Sequence, residues 1–286
     1  MIFQKTKSTL KENVWGGHKL AAKYGKGDFS PRRIAESWER CELLDQLGFQ
    51  LKWIDTDFPT SVQVHPGLET TTQTDLVCDG GSEIWVVVES ESASRIGIGF
   101  NRTVTQEEIL DAIHNRTLGL YLNTVHPKPG DCFVIPSGTI HYIDSGVTIL
   151  EWKQKNAQTF RLYDWGRETI SDRTLQIVES LAAIHFESSS LFQTHLPLEP
   201  GGMSVVVSLG DKTFHFGWRQ VAGHMTLDGG GVKFLTCLEG TFLVDGTIVQ
   251  KGETVQMPFD SADSARIFRG NGILLETLLH EKKGHS

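Results

Sequence analysis

Four residues in the first half of the chain have side chains that can bind a divalent metal ion. In the segment SVQVHP, the alternation of a strand places Ser61, Gln63 and His65 on one face and two valines on the other. Glu83 begins the next apolar segment, and His141 follows a turn that ends a third. An amide oxygen, two imidazole nitrogens and a carboxylate oxygen suit Zn²⁺ or another divalent ion, with a position left for water or substrate. An alternative stays open at this point, because each residue taken singly is commonly a solvated strand residue, a surface carboxylate or a hydrogen-bonded histidine.

Three further residues could supply acid–base or cationic groups. The apolar segment 147–154 contains Glu151 and Lys153, which share one face of a strand while Trp152 points to the other. Because a buried unpaired carboxylate is costly, Glu151 in this segment indicates a pocket rather than a core position. Arg161 is permanently cationic and suits anionic oxygens. A solvated strand edge for Lys153 and a surface ion pair for Arg161 are the alternatives.

Short strands dominate the elements that must position these residues. Most apolar segments are rich in Val, Ile, Phe and Trp and are bounded by Gly, Pro or Asp, which predicts a β-sandwich or barrel. The segments are 61–66, 83–90, 94–100, 131–138, 146–154, 203–209, 233–240, 241–250 and 273–279. Within the eighth of them, Asp245-Gly246 predicts a tight hairpin turn. Helices are predicted at 105–115, which begins with a capping signal, and at 171–184.

A short internal repeat favours two copies of one barrel. Lys128–Pro136 aligns with Gln250–Pro258, and both segments read as a glycine turn with an acid, followed by a strand that ends in proline. The passage after residue 185 is rich in Ser, Pro and Gly and is the predicted linker. We therefore predict a metal-binding barrel with a helical insertion over residues 1–185 and a degenerate second barrel over residues 186–286.

The second barrel is expected to hold no metal. At the offset of the repeat, His141 aligns with Asp263, and residues 225–279 contain no histidine. Its expected role is to pack against the first barrel and to shape the mouth of the pocket.

The composition describes an acidic globular chain. Its 286 residues are 39% hydrophobic and 22% charged, which excludes disordered and fibrous classes and allows a sizeable core. The formal charge of −8 argues against general nucleic-acid binding, since phosphate backbones select a basic surface. We predict a cytoplasmic protein from four widely spaced cysteines without a CxxC pair and from the absence of a signal-like or membrane-spanning apolar run. The cysteines are Cys41, Cys78, Cys132 and Cys237.

The order and spacing of several motifs resemble those of the type I phosphomannose isomerases in their short bacterial form. The motifs are Trp15-Gly-Gly, Glu36-Ser-Trp-Glu39, Ser61–Pro66, Glu83-Ile-Trp85, Lys128–His141 and Thr159–Asp164. The resemblance covers roughly residues 10–185 well, and the remainder only through its barrel-like pattern. It implies two cupin-type jelly-roll barrels, mainly β with a few short helices, and one divalent metal ion, with zinc expected. The implied activity is the interconversion of mannose 6-phosphate and fructose 6-phosphate through an enediol.

Carried over residue by residue, the resemblance implies a role for each candidate. The implied metal ligands are Gln63, His65, Glu83 and His141. Arg161 matches the active-site arginine, Glu151 a pocket carboxylate, and Ser61 a serine that contacts the substrate phosphate. As partners we expect a small sugar phosphate, no nucleic acid and no membrane, with the chain as a monomer or homodimer.

One departure from the family pattern lies at Gly81, where the family usually has a lysine two residues before the metal-binding glutamate. Lys153 could replace that lysine from the neighbouring strand, because it shares a face with Glu151. The departure keeps open an isomerase for a different or unphosphorylated sugar. From another class, the chain could be a non-catalytic cupin that binds a sugar through an inherited metal site. Retention of all four ligand types together with Glu151 and Arg161 argues against that last alternative.

Overall fold

The computed structural model describes residues 3–27, 32–67, 81–155, 158–169, 173–189, 191–196, 205–209, 212–227, 231–258 and 265–281. Cys78, Asp263, the first two residues of the helix predicted at 171–184 and the first two of the strand predicted at 203–209 lie outside these residues.

Strands make up most of the described chain. They are β1 (Gln4–Lys5), β2 (Lys7–Gly17), β3 (Ile34–Arg40), β4 (Phe49–Asp55), β5 (Val62–Val64), β6 (Glu83–Ser90), β7 (Ile96–Phe100), β8 (Leu122–Val125), β9 (Asp131–Ile135), β10 (His141–Ile143), β11 (Val147–Gln154), β12 (Phe160–Tyr163), β13 (Phe192–His195), β14 (Val205–Leu209), β15 (Lys212–Leu227), β16 (Val232–Val244), β17 (Thr247–Gln250), β18 (Thr254–Pro258) and β19 (Arg266–Glu281). The helices in the same residues are α1 (Lys19–Tyr24), α2 (Glu42–Leu47), α3 (Gln106–His114), α4 (Ile177–Ala183) and a 3₁₀ helix at Leu118–Tyr121. The expected class, mainly β with a few short helices, is confirmed.

The described strands form three sheets, which we call front, middle and rear. The front sheet has the order β12-β5-β10-β7-β8, and the middle sheet has the order β13-β9-β6-β11-β4-β3-β2. The rear sheet runs β1-β18-β16-β19-β15-β14, with β17 paired to β16. The sheets stay open and stack as jelly-roll sandwiches instead of closing into barrels. The division at residue 185 remains a prediction; β13, which follows it, pairs with β9 of the middle sheet, and β1 pairs with β18 of the rear sheet.

The central strands of the middle sheet, β6, β11 and β4, are buried on both faces, which explains why they read as almost continuous apolar runs. Side chains on one face pack in a single core with the rear sheet, among them Ile84, Val86, Trp152, Phe214 and Phe234. Side chains on the opposite face pack with the front sheet, among them Trp85, Val87, Ile149, Ile98 and Ile143. The alternation along β6 and β11 thus sends every second side chain toward the front sheet, and this is the face on which the polar candidates lie.

The two segments of the internal repeat adopt the same turn. Gly130 and Gly252 both lie in the left-handed region, at φ 91° and 86°. The acid that follows each glycine accepts a hydrogen bond from the backbone N–H three residues before it, at 2.8 Å for Asp131 and 2.7 Å for Glu253. The turns lead into β9 and β18, so the two segments of the repeat have the same turn-and-strand structure. His141 follows the first segment, after β9. The predicted hairpin is also present, since β16 and β17 pair across Asp245-Gly246.

The helices agree only in part with the sequence prediction. α3 lies within the predicted range, and Thr105 and Glu108 form its capping box. The prediction of a helix from residue 171 is wrong for residues 173–176, because α4 begins only at Ile177. Gln176 pairs instead with β12: its N–H donates to the Arg161 carbonyl, and its side chain accepts from the Arg161 N–H. Within the described residues no helix combines the length and the apolar character that a membrane crossing requires.

Candidate metal centre and pocket

The facing surfaces of the front and middle sheets carry most of the candidate residues. On the front sheet, Gln63 of β5 pairs in register with His141 of β10 and with Arg161 of β12. On the middle sheet, Glu83 of β6 pairs in register with Lys153 of β11. Directly opposite residues on neighbouring strands project from the same face. Residues far apart in the sequence therefore meet because these two sheets face each other.

Both candidate histidines are oriented by backbone carbonyls. Nδ1 of His65 lies 2.6 Å from the Gln158 oxygen, and Nδ1 of His141 lies 2.8 Å from the Thr139 oxygen. A carbonyl oxygen can only accept, so each Nδ1 is the donor and each Nε2 remains an acceptor. Burial lowers the pKa of His65 and lowers the pKa of His141 to about 3. Both rings are therefore neutral near pH 7, which is the form that binds metals.

Glu83 places its carboxylate against both rings. Its Oε1 lies 2.8 Å from His65 Nε2, and its Oε2 lies 3.8 Å from His141 Nε2. Trp85 Nε1 donates to Oε2 at 2.9 Å and so fixes the carboxylate. Burial by itself raises the pKa of Glu83, but the Lys153 ammonium and the histidines outweigh it and hold the pKa well below the usual range. Glu83 is ionised at neutral pH.

His65, Glu83 and His141 form a cluster that fits a divalent metal ion. Their ligand atoms all lie within 4.8 Å of one another, and no other such group of three occurs in the described residues. The side-chain amide of Gln63 adjoins the cluster, with its nitrogen 3.2 Å from His141 Nε2. Neutral imidazoles held through Nδ1, with a carboxylate and an amide beside them, match the ligand types and outer hydrogen bonds of zinc sites.

The Lys153 side chain reaches into this same cluster. Its ammonium lies 2.8 Å from Glu83 Oε1 and 2.9 Å from His65 Nε2, and the residue is 4% exposed. The strand-edge alternative for Lys153 is wrong, because β11 lies between β6 and β4 in the interior of the middle sheet. Lys153 is thus a buried cation among the candidate metal ligands.

Glu151 lies two residues before Lys153 on the same face of β11. It is paired with Lys52, a residue that the sequence analysis missed. The two residues are in register on β11 and β4, and Lys52 Nζ lies 2.5 Å from Glu151 Oε1. Burial and the charge of Glu83 raise the pKa of Glu151 against the opposing effect of the two lysines. For Lys52, burial lowers the pKa, but Glu151 and Glu36 more than offset this and the net shift is upward.

Arg161 and Ser61 lie at the cavity on the front-sheet side. Arg161 Nη1 donates to the Thr174 carbonyl at 3.1 Å, while its Nε is buried without a hydrogen-bond partner among the described residues. Burial and the nearby Arg173 lower the pKa of Arg161. Asp164 pairs instead with Arg173, and both residues are buried, so among the described residues this carboxylate gives Arg161 no surface ion pair.

A cavity of about 180 Å³ connects these groups. It is lined by six of the candidates, Gln63 and Glu83 among them, and by residues that the sequence analysis did not select as site residues. The candidates at the wall are Ser61, Gln63, Glu83, Glu151, Lys153 and Arg161, and the additional residues include Asn13, Trp15, Glu36, Lys52 and Thr159. His65 and His141 are buried and are not among the lining residues of this cavity. A larger cavity of about 340 Å³ lies elsewhere, around Lys26 and Glu39, which pair with each other at 2.7 Å.

Comparison with known proteins adds independent evidence. No family model matches the chain. The mannose-6-phosphate isomerase ManA of Bacillus subtilis is 29% identical over 214 residues, which are 64% of this chain and 68% of that protein. The probable mannose-6-phosphate isomerase GmuF of the same organism is 25% identical over 278 residues, 85% of this chain and 86% of that protein. The resemblance to the type I phosphomannose isomerases is confirmed.

Solved structures of phosphomannose isomerases have the same fold. The mannose 6-phosphate isomerase of Bacillus subtilis superimposes with a TM-score of 0.76 at 18% identity, over 96% of this chain and 98% of that one. A putative mannosephosphate isomerase of Archaeoglobus fulgidus gives 0.75 at 18% identity, over 97% of each chain. A mannose 6-phosphate isomerase bound with zinc and yttrium gives 0.63 at 15% identity, over 98% of this chain and 99% of that one.

Proposed function

We propose that this chain is a metal-dependent aldose–ketose isomerase that interconverts mannose 6-phosphate and fructose 6-phosphate through an enediol. The observation that carries the proposal is the pair of neutral imidazoles, held through Nδ1 and turned toward Glu83 beside a cavity with buried acid and base groups. The names of the relatives point to the same reaction.

The proposed ligands of the ion are His65, Glu83 and His141, with Gln63 as the fourth, and zinc is the proposed metal. When bound, the ion supplies Lewis acidity toward the sugar carbonyl and the adjacent hydroxyl. The ligand types, and the zinc in a solved relative of the same fold, support this choice.

Glu151 is the proposed proton carrier. The isomerisation moves one proton between C1 and C2 and another between O1 and O2, which requires a positioned acid–base group. The raised pKa of Glu151 brings this carboxyl closer to the neutral range, where such a group works best. Lys52 holds the carboxylate in place from β4 at 2.5 Å.

Arg161, Ser61 and Lys153 are the proposed substrate-binding groups, with Arg161 also stabilising negative charge during the reaction. The buried Nε–H of Arg161 has no partner among the described residues, and an anionic oxygen of the substrate would satisfy it. Ser61 is buried at the cavity wall, where its hydroxyl can donate to a phosphate oxygen.

The decisive test is incubation of the zinc-loaded protein with fructose 6-phosphate in heavy water, followed by NMR. We expect mannose 6-phosphate to form, and we expect chelator-treated protein to form none. Conversion of free fructose without conversion of the phosphate would replace the proposed substrate with an unphosphorylated sugar. Metal-loaded protein that converts no hexose or hexose phosphate would refute the isomerase and favour a sugar-binding cupin.

A further inference from the structure

Lys153 contacts two of the atoms that a metal ion would also require. The ammonium contacts Glu83 Oε1 and His65 Nε2 at 2.8 and 2.9 Å, and these are two of the atoms that face the centre of the ligand cluster. Because His65 Nδ1 donates to the Gln158 carbonyl, its Nε2 has a single lone pair, which cannot accept from the ammonium and bind an ion at the same time. The ammonium must therefore leave His65 Nε2 before an ion binds there.

The chain offers no room for the cation at the position that the family usually employs. A Cβ at Gly81 would lie 2.4 Å from His65 Cβ and 2.9 Å from the Pro66 carbonyl oxygen, both closer than side-chain atoms pack. Any side chain at position 81 would therefore displace a candidate metal ligand. The buried cation comes instead from the middle sheet, where Lys153 is in register with Glu83.

We propose that Lys153 and the divalent ion bind alternately to Glu83 and His65, so that Lys153 sets the metal affinity and metal loading moves its ammonium into the sugar cavity. The alternation itself depends only on the ligand cluster, whereas the placement of the ammonium beside the sugar rests on the proposed function. The displaced ammonium has partners within reach, because Glu151 lies on the same face of β11 and Thr159 Oγ1 is 3.5 Å from Nζ.

The alternation predicts that removal of the lysine has opposite effects on two quantities, the stability of the metal-free protein and its affinity for the metal. The ammonium compensates the buried Glu83 charge, so the protein without metal loses stability when the lysine is removed. The same contact must be broken before the ion binds, so its removal raises the apparent metal affinity. A lysine that merely contributed to packing would lower stability and leave metal affinity unchanged or weaker.

The test is a zinc titration of chelator-treated protein against a competing chelator, together with its thermal unfolding. For Lys153→Met we expect zinc affinity at least about tenfold tighter than that of the unaltered chain, and a lower melting temperature before zinc is added. Lys153→Gln, which keeps a polar group in the cavity, should change both quantities in the same directions and serves if the Met variant is insoluble. Lys155→Met is the matched control, since Lys155 pairs at the surface with Asp45 at 2.8 Å and should change neither quantity. Equal or weaker zinc binding by a folded Lys153 variant would overturn the proposal.

A crystal structure of the zinc-loaded protein gives a second readout that does not depend on turnover. We expect Lys153 Nζ to lie beyond hydrogen-bond distance of Glu83 Oε1 and to approach Glu151 or Thr159. An ammonium still in contact with Glu83 beside a bound ion would overturn the alternation. Absence of hexose turnover with the alternation intact would instead count against the proposed function alone.

Discussion

The cleft between the front and middle sheets and the core within the rear sheet are built from similar strands and turns but have opposite contents. Inside the rear sheet most of the buried side chains are apolar, as with Leu235, Phe242 and Phe268. In the cleft the buried side chains include ionised groups such as Glu83 and Lys153. The same glycine turn precedes β9 of the middle sheet and β18 of the rear sheet. The difference between the two regions therefore arises from the side chains on the strands and not from this shared backbone turn.

Burial stabilises the rear sheet but costs free energy in the cleft. Burial of apolar side chains stabilises the rear sheet directly, at about 25 cal/mol per Å². Burial of charges costs several kcal/mol per ion before pairing compensates it. Among the described residues of the rear sheet, Glu276 is a buried carboxylate, but Arg219 and Lys233 pair with it at 2.7 and 3.4 Å. The cleft combines two carboxylates, two lysines and two neutral histidines around open space, which is the arrangement of a binding site and not of a core.

Removal of a candidate metal ligand should have the largest effect and should be confined to the cleft. For His141→Ala we expect bound metal to fall from about one ion per chain to nearly none, and isomerase activity to fall by more than about 100-fold, since even outer partners of metal ligands contribute about 10–100-fold. The matched control is His224→Ala, because His224 is exposed on β15 of the rear sheet. Metal analysis and turnover measure both variants. Full metal content in His141→Ala would show that His141 is not a metal ligand and would contradict the assignment of the metal site to the cleft.

Neutralising one buried carboxylate in each region should separate catalysis from stability. For Glu151→Gln we expect kcat to fall by about 10²–10⁴-fold while zinc remains bound, because the proposed proton carrier is lost. For Glu276→Gln we expect unchanged kcat and a free energy of unfolding lower by about 1–3 kcal/mol, because a buried hydrogen-bonded charge is lost. Steady-state kinetics and urea unfolding distinguish the two effects. A Glu151→Gln variant with unchanged kcat would show that another group carries the proton.

The sequence predicted the strands and the candidate ligand residues better than the contacts between them. The apolar run bounded by turn residues predicted the range of β6 residue for residue, and the motif order pointed to His65, Glu83 and His141. Lys52 was missed because the partner of a single lysine in an apolar strand cannot be identified until the register with β11 is known. Lys52 lies opposite Glu151 because of how β4 and β11 align, and neither segment alone predicts that alignment.

Long-range pairing also explains the error in the last helix. The pattern of residues 171–184 is helical, but Gln176 is taken up by hydrogen bonds to Arg161 of β12. Just before it, Arg173 is buried in an ion pair with Asp164 and donates to Asn13 at 2.6 Å. Local propensity therefore yields to contacts that the sequence pattern does not contain.

Truncation of a residue between the middle and rear sheets should lower the stability of both regions together. Trp152 is buried against Phe214 and Phe234, with ring centroids 5.3 and 5.2 Å away. For Trp152→Ala we expect the free energy of unfolding to fall by about 3–5 kcal/mol. Ile248→Ala, at a 54% exposed position of β17, should change it by less than about 0.5 kcal/mol. Circular dichroism during urea unfolding checks both, and two separate transitions in the unaltered chain would show that the regions unfold independently.

The buried thiols provide a finer comparison of the two regions. Cys132 packs in the core shared by the middle and rear sheets, and Cys237 packs inside the rear sheet. Burial raises the pKa of each thiol to about 12. At pH 8 each native thiol is therefore almost entirely protonated, and alkylation must await opening of the structure. Because the shared core couples the sheets, we expect iodoacetamide to label both cysteines over the same range of urea concentration, as followed by peptide mass spectrometry. Labelling of Cys237 at clearly lower urea than Cys132 would mean that the rear sheet opens on its own, and the apolar region would then be the less stable of the two.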